Sequence, residues 1–187
     1  MAEPLPTTPS GKLTREEYRR WAEAQPRGRF ELVAGEVIAM APEREEHIDA
    51  KNVAWLALRL AIKAAGVRCR AYGGGFSVEV DENTVYEPDA LVNCGDRPDR
   101  NTTVAPNPVI VVEVTSPGTR SVDTNAKLGG YFRVPSIQHY LIVECSRRLV
   151  VHHRRDSEGI ATRVVASGRI EMHPPGISIT AEDLFED

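Results

Sequence analysis

Two apolar stretches of the chain carry acids. The first reads Val85-Tyr86-Glu87-Pro88-Asp89-Ala90-Leu91-Val92, and the second Pro108-Val109-Ile110-Val111-Val112-Glu113-Val114-Thr115-Ser116. A carboxylate among Val, Ile and Leu is costly to desolvate unless it is paired or holds a cation. Pro88 biases the residue before it toward an extended backbone, which puts Asp89 at or inside a strand. Glu113 follows four apolar residues, the mark of a strand buried on both faces. Two such strands are expected to bring both carboxylates to one end of a sheet. At 4 Å such a pair repels by about 4 kcal/mol at an effective dielectric near 20, which calls for a shared proton or a divalent cation with oxygen ligands, Mg2+ or Mn2+. The plainer alternative is that each acid caps a strand end and accepts from backbone amides.

Asp123 and Lys127 stand four apart on a helix expected over 121–133. An acid four residues ahead of a lysine makes a surface pair worth about 0.2–0.5 kcal/mol. Turned toward the strand tips instead, the same face brings the Lys127 ammonium near Asp89 and Glu113, where it stabilises charge building on an attacked phosphate. Tyr131 lies one turn beyond Lys127 and reads as packing. His47 falls in the first turn of another expected helix, where a lone histidine serves as a cap or a core hydrogen-bonder. Arg147-Arg148-Leu149-Val150-Val151-His152-His153-Arg154-Arg155 holds four Arg and two His in nine residues. Either this is a solvated face, or Arg147, Arg148, Arg154 and Arg155 form a ridge for backbone phosphates. Arg15, Arg19, Arg20, Arg27 and Arg29 make a second basic region.

The elements that must position these groups follow from pattern. Thr14 followed by Glu17 is a capping box for a short helix over 14–24, with Tyr18 and Trp21 facing inward. Residues 29–40 read as a hairpin turning at Val33-Ala34-Gly35-Glu36. Glu43, Glu45 and Glu46 suit the positive end of a helix that runs to about Ala65 and stops at Gly66. Val53, Leu56, Leu60 and Ala64 form its expected inner stripe, with Trp55, Leu58 and Ile62 beside it. Strands are expected near 67–72, 75–80, 85–92 and 109–115, then, after the helix over 121–133, at 138–145, 148–154 and 160–166. Gly129-Gly130 weakens that helix by roughly 1 kcal/mol per glycine. The C-terminus reads as Pro174-Pro175-Gly176 and a short acidic turn. This order predicts an α/β or α+β fold, a central mixed sheet flanked by helices, with an N-terminal hairpin and C-terminal β elements. No glycine-rich nucleotide loop is present.

With 187 residues, 41% hydrophobic and 27% charged, the chain is expected to form one domain over 13–187 behind a flexible, proline-bearing tail at 1–12. A net charge of −4 argues against an extended nucleic-acid footprint, so any phosphate contact must be local. There is no apolar run long enough to span a bilayer, and the N-terminal residues lack the apolar core of a signal peptide. Cys69, Cys94 and Cys145 are few and widely spaced, so neither a disulfide framework nor a zinc cluster is expected, and the expected location is the cytoplasm.

Glu87-Pro88-Asp89, then Val112-Glu113-Val114-Thr115-Ser116-Pro117, then Asp123-x-x-x-Lys127-x-x-x-Tyr131 resembles the Uma-type family of bacterial restriction-endonuclease-like proteins. Through it the chain is similar to the PD-(D/E)XK nuclease superfamily, named for Pro-Asp followed by Asp/Glu-x-Lys. Phe30-Glu31-Leu32-Val33-Ala34-Gly35-Glu36, His47, Gln138-His139-Tyr140-Leu141-Ile142-Val143 and Leu184-Phe185 match the same pattern, over roughly residues 13–185. The resemblance implies a restriction-endonuclease-like core and Mg2+- or Mn2+-dependent hydrolysis of DNA phosphodiester bonds. It also implies metal ligation by Asp89, Glu113 and the carbonyl of Val114, and Glu31 as a further ligand or water-holding base. One position departs from the superfamily: Thr115 stands two residues after Glu113, where the motif has Lys. The resemblance assigns that role to Lys127, whose long stem needs only to deliver its ammonium. Two readings compete with a DNA endonuclease: a catalytically inactive module that binds DNA or protein, and a hydrolase of a smaller phosphate ester. A homodimer is expected, with Arg148 to Val165 as an arm across the partner.

Overall fold

The computed structural model describes residues 8–115 and 122–185, and of residues 122–125 the backbone alone. The first seven residues of the expected tail, the turn at 116–120 and the Asp123 side chain lie outside the described residues. Thr14 and Glu17 close the expected capping box on α1 (Arg15–Glu23), satisfying two of the free amides at the helix start. β1 (Phe30–Val33) and β2 (Glu36–Ala39) pair antiparallel through Ala34 and Gly35, both at positive φ (49° and 87°), the turn whose twist matches a two-residue hairpin. α2 (Glu45–Ala65) ends at Gly66, whose left-handed backbone lets its amide bond the Ile62 carbonyl.

The inner stripe of α2 differs from expectation. Leu56 and Leu60 are 47% and 56% exposed, while Ala54, Ala57, Leu58 and Ile62 are buried. The alanines let the helix axis lie close over β3 (Cys69–Gly73), β6 (Ala90–Cys94) and β7 (Pro108–Thr115), an approach that a row of leucines would hold off.

The expected strand at 85–92 is two strands in two sheets. β5 (Thr84–Tyr86) pairs with β1 and with β4 (Val78–Asp81), whereas β6 joins the central sheet. Pro88 sits at the break, and its lack of an amide hydrogen removes one ladder bond there. Past β7 the chain forms α3 (Val122–Tyr131), β8 (His139–Glu144), β9 (Leu149–Asp156) and β10 (Gly159–Val165). Among the described residues the strands form a four-stranded sheet, β2-β1-β5-β4, and a six-stranded sheet, β10-β9-β8-β7-β6-β3. Only β7 and β8 pair parallel in the central sheet, joined by the α3 crossover, which makes it the mixed sheet of an α+β fold. The segment expected as an arm is β9 and β10, integral to that sheet with β10 at its edge. A hairpin that the sequence reading missed, β11 (Arg169–Met172) and β12 (Ile177–Thr180), covers the sheet beside α2.

α2 and this hairpin bury one face of the sheet through Val112, Val114, Leu141 and Val143. α3 and the small sheet bury the other through Val111, Tyr131, Tyr140 and Ile142. The reading of the cysteines is corrected as well. Cys69 and Cys94 stand directly opposite on β3 and β6 and are joined in a disulfide, a juxtaposition set by strand register and invisible in a separation of 25 residues.

Candidate active site at the end of the central sheet

Because β7 and β8 run parallel, their C-terminal ends reach one edge of the sheet, with Val114 beside Val143 and Thr115 beside Glu144. Glu113 points from β7 toward α3, opposite in sense to Val112 and Val114, as the two-residue alternation requires. Its Oε1 accepts from the Tyr131 hydroxyl at 2.6 Å and from Lys127 Nζ at 3.1 Å. Lys127 and Tyr131 reach the same carboxylate because they are one helical turn apart. The Lys127 ammonium also donates to Glu31 Oε1 at 2.9 Å and lies over the Tyr86 ring, 5.4 Å from its centroid. Glu31 turns away from Phe30 and Leu32 and is buried at 7% exposure, with the Lys127 side chain closing over its carboxylate. The Glu87 amide donates to it at 2.8 Å.

The break at Pro88 turns Asp89 toward the β7 terminus. Asp89 Oδ2 accepts from the Val114 amide at 2.7 Å, and Oδ1 faces His47 Nε2 and Lys51 Nζ, each at 3.4 Å. His47 and Lys51, four apart on α2, present one face to the carboxylate. Lys51 also donates to Glu43 Oε1 at 2.7 Å, and Arg29 bridges Glu43 and Glu87. Glu31, Asp89, Glu113, Lys127, Tyr131 and His47 therefore lie in one neighbourhood. Sequence reading missed Glu43, Lys51 and the bridging role of Arg29. The spacing His47-x-x-x-Lys51 on an expected helix was the available signal for Lys51.

The charges do not cancel. Among the described residues, five carboxylates (Glu31, Glu43, Glu87, Asp89, Glu113) face three permanent cations (Arg29, Lys51, Lys127), a formal excess of two negative charges when every carboxyl is ionised and His47 is neutral. Burial, reinforced by Asp89 and Glu31, pushes the Glu113 carboxyl up to about 7 against the pull of Lys127 and Tyr131. Burial also raises Asp89, but the His47 bond, the Val114 amide and Lys51 outweigh it and hold that carboxyl below its usual range. The Asp89 bond raises His47 against the opposing effect of burial. Burial keeps Tyr131 well above the ordinary phenol, so it stays a donor. One ligand atom each from Glu43, His47 and Asp89 lies within 4.8 Å of the others, a set of oxygen and imidazole donors of the size and charge a divalent cation takes.

Thr115 is half-buried, and its hydroxyl donates to the Val143 carbonyl at 3.4 Å. The expected basic ridge is split. Arg147 and Arg148 lie at the same sheet edge as Glu113, whereas Arg154 and Arg155 lie at the far end of β9, opposite His139 and Gln138. Arg147 pairs with Glu144 at 3.4 Å, and Arg148 lies over the Phe185 ring. Arg155, expected as a phosphate contact, is engaged within the fold. Its guanidinium donates to the carbonyls of Phe132, Val134 and Ile137 and fastens the chain between α3 and β8.

A mixed sheet with a carboxylate–lysine cluster at the ends of its parallel strands defines an α+β protein of nuclease-like fold. A crystal structure described as a putative nuclease belonging to DUF820 from Anabaena variabilis superposes with a TM-score of 0.72 at 14% identity, covering 92% of this chain and 97% of that one. The uncharacterized protein slr1290 of Synechocystis is 28% identical over 187 residues, 96% of this chain and 95% of its own length. The family model for Uma2, described as "Putative restriction endonuclease", matches residues 15–186, and this chain belongs to that family.

Proposed function

We propose that the chain is a Mg2+- or Mn2+-dependent endonuclease that hydrolyses phosphodiester bonds of DNA at the sheet-end cluster. One observation carries the reading: the Lys127 ammonium is held between two buried carboxylates, Glu31 and Glu113, beside the buried Asp89. Asp89 and Glu113 would hold the cation together with the Val114 carbonyl, which lies on the same side of β7 as the amide bonded to Asp89. Glu43 and His47 extend the donor set. A bound divalent ion supplies a water of lowered pKa and polarises a phosphate oxygen. Tyr131 fixes the Glu113 rotamer by its hydrogen bond. Lys127 presents a cation to the charge that builds on the attacked phosphate, and Glu31 accepts the proton of the attacking water. Arg147 and Arg148, at the same sheet edge, would meet the DNA backbone.

The test is incubation of the purified chain with supercoiled plasmid, linear duplex and single-stranded DNA, in Mg2+ and in Mn2+, beside Asp89→Ala and Lys127→Ala. Nicking or cutting by the wild type that both variants lose is the expected result. Wild-type turnover no greater than that of Asp89→Ala on every DNA form removes the nuclease reading. A second reading, an inactive DNA-binding or protein-interaction module, draws on Thr115 and on the neutralisation of Asp89 and Glu113 by Lys51 and Lys127. It requires the same melting midpoint in EDTA and in Mg2+, because a cation that binds the folded state must raise that midpoint.

A further inference from the structure

At the opposite end of β9 from the carboxylates, a groove of about 220 Å³ opens between the β9–β10 face and β11. His152, Arg154, Ala161, Arg163, Arg169 and Glu171 line it. The volume matches roughly seven water molecules at ~30 Å³ each, ample for a phosphate group and its ester oxygen. Its positive charge is weakly compensated. Arg154 and Arg169 keep long pairs, to Asp156 at 3.7 Å and Glu171 at 3.5 Å, and among the described residues Arg163 has no ion-pair partner.

The floor supplies a second, independent observation. His139 and His152 are 0% and 6% exposed, and their rings meet Nδ1 to Nε2 at 2.9 Å. His139 Nε2 lies 2.9 Å from the Pro174 carbonyl, which can only accept, so that nitrogen carries the hydrogen. A neutral His139 then accepts at Nδ1 from His152 Nε2. His152 Nδ1 is left as the unengaged ring nitrogen of a buried side chain that lines the groove. We propose that this groove binds a phosphate-type oxyanion, with Arg154, Arg163 and Arg169 as its cationic wall and His152 as the donor at its floor.

Anion binding is coupled to a proton. Without an anion, His152 Nδ1 is an acceptor facing arginines, and it becomes a donor when the ring is protonated. The titratable and charged groups around that ring are His139 on β8, Arg154 and His153 on β9, Arg163 on β10, and Arg169 and Glu171 on β11. Burial, then His139 and the arginines, push His152 down to about 4, so the ring is neutral at pH 6.5. A bound phosphate opposes those cations and draws a proton onto Nδ1, so affinity rises as pH falls from neutral.

Calorimetric titration of the full chain with inorganic phosphate, in EDTA and at constant ionic strength set with chloride, tests this. Two buffers of different ionisation enthalpy at pH 6.5 read the proton count, taken with sulfate as the oxyanion because inorganic phosphate itself exchanges a proton near that pH. The expected result is one saturable site with net proton uptake, weakened about tenfold in Arg154→Gln and in Arg163→Gln, the scale of one lost charge-assisted bond. Both side chains are at the surface, so the melting midpoint stays near that of the wild type. Phosphate heats no larger than those of chloride, or equal affinity in both variants, overturn the site. Binding without proton uptake overturns the donor role of His152. A short DNA duplex titrated in EDTA identifies the source. Affinity that falls in the variants alongside phosphate assigns the groove to a nucleic-acid backbone, and DNA affinity that holds while phosphate binding falls assigns it to a small phosphate. None of these readouts needs cleavage, so they stand or fall apart from the nuclease reading.

Discussion

Substituting Gln for Glu113 isolates the electrostatics of the cluster. Gln keeps the shape and the oxygen that accepts from Tyr131 and Lys127, and removes the titration. In the folded protein the Glu113 carboxyl is pushed up to about 7 from an ordinary 4.5, first by burial and then by Asp89 and Glu31. Between those values the folded state keeps a proton that the unfolded chain has released. Stability of the metal-free protein therefore falls as pH rises from 4.5 to about 7. At about 1.4 kcal/mol per pH unit this interval amounts to on the order of 3 kcal/mol, or roughly 6 to 12 °C in the melting temperature of a domain this size. His139 and His152 titrate alike in both proteins, so the difference between wild type and E113Q reports Glu113 together with its coupling to Asp89. Urea denaturation from pH 4.5 to 8 in EDTA should show the wild type losing stability relative to E113Q across the window. Mg2+ should flatten that difference by compensating the ionised carboxylate. Parallel curves in EDTA would mean that Lys127 alone keeps Glu113 ionised, and the argument that the cluster wants a further cation would fail.

Two further substitutions and one reduction test the frame that holds the cluster. A Cβ at Gly130 would lie 2.6 Å from the Tyr86 ring, so Gly130→Ala should cost about 1–3 kcal/mol by chemical denaturation. Gly129 faces open space, and Gly129→Ala should gain up to about 1 kcal/mol. Reducing the Cys69–Cys94 disulfide, whose cysteines are 25 residues apart, should lower stability by on the order of 3 kcal/mol. A reductant that leaves the denaturation midpoint unchanged would refute that estimate, with the Cys69→Ser/Cys94→Ser double variant as the insensitive control.

Local grammar was legible and tertiary geometry was not. The capping box, the hairpin at Ala34-Gly35 and the stop at Gly66 each depend on residues within one turn of one another, and the elements began and ended where those residues stand. The inner face of α2 was misjudged because hydrophobicity favoured Leu56 and Leu60, whereas close approach to the sheet favoured Ala54 and Ala57. The single strand expected at 85–92 is the same kind of error. Apolar residues continue across Pro88, yet the ladder changes sheets there, and this change is what aims Asp89 at Val114.

The cation demanded by two acids in apolar strands is the harder lesson. Sequence reading weighed a proton against a metal for Asp89 and Glu113 and turned Lys127 toward them; in the fold Lys127 comes within 3.1 Å of Glu113, and Lys51, which it did not foresee, within 3.4 Å of Asp89. Those lysines do not end the demand, because they arrive with Glu43 and Glu31 attached. Each lysine is shared between two carboxylates, and Arg29 between Glu43, which Lys51 already holds, and Glu87. A lysine that must serve two acids cannot neutralise both, and the deficit grows with every acid the fold adds to the cluster. Thr115 sharpens the point: a lysine there would stand on β7 itself, two residues from Glu113, while Lys127 reaches in from α3. A helix-borne ammonium can swing toward a phosphate while Tyr131 continues to hold Glu113 in place. In the proposed mechanism this arrangement would separate the group that meets substrate charge from the strand that carries the carboxylates, which a lysine fixed on that strand would not do.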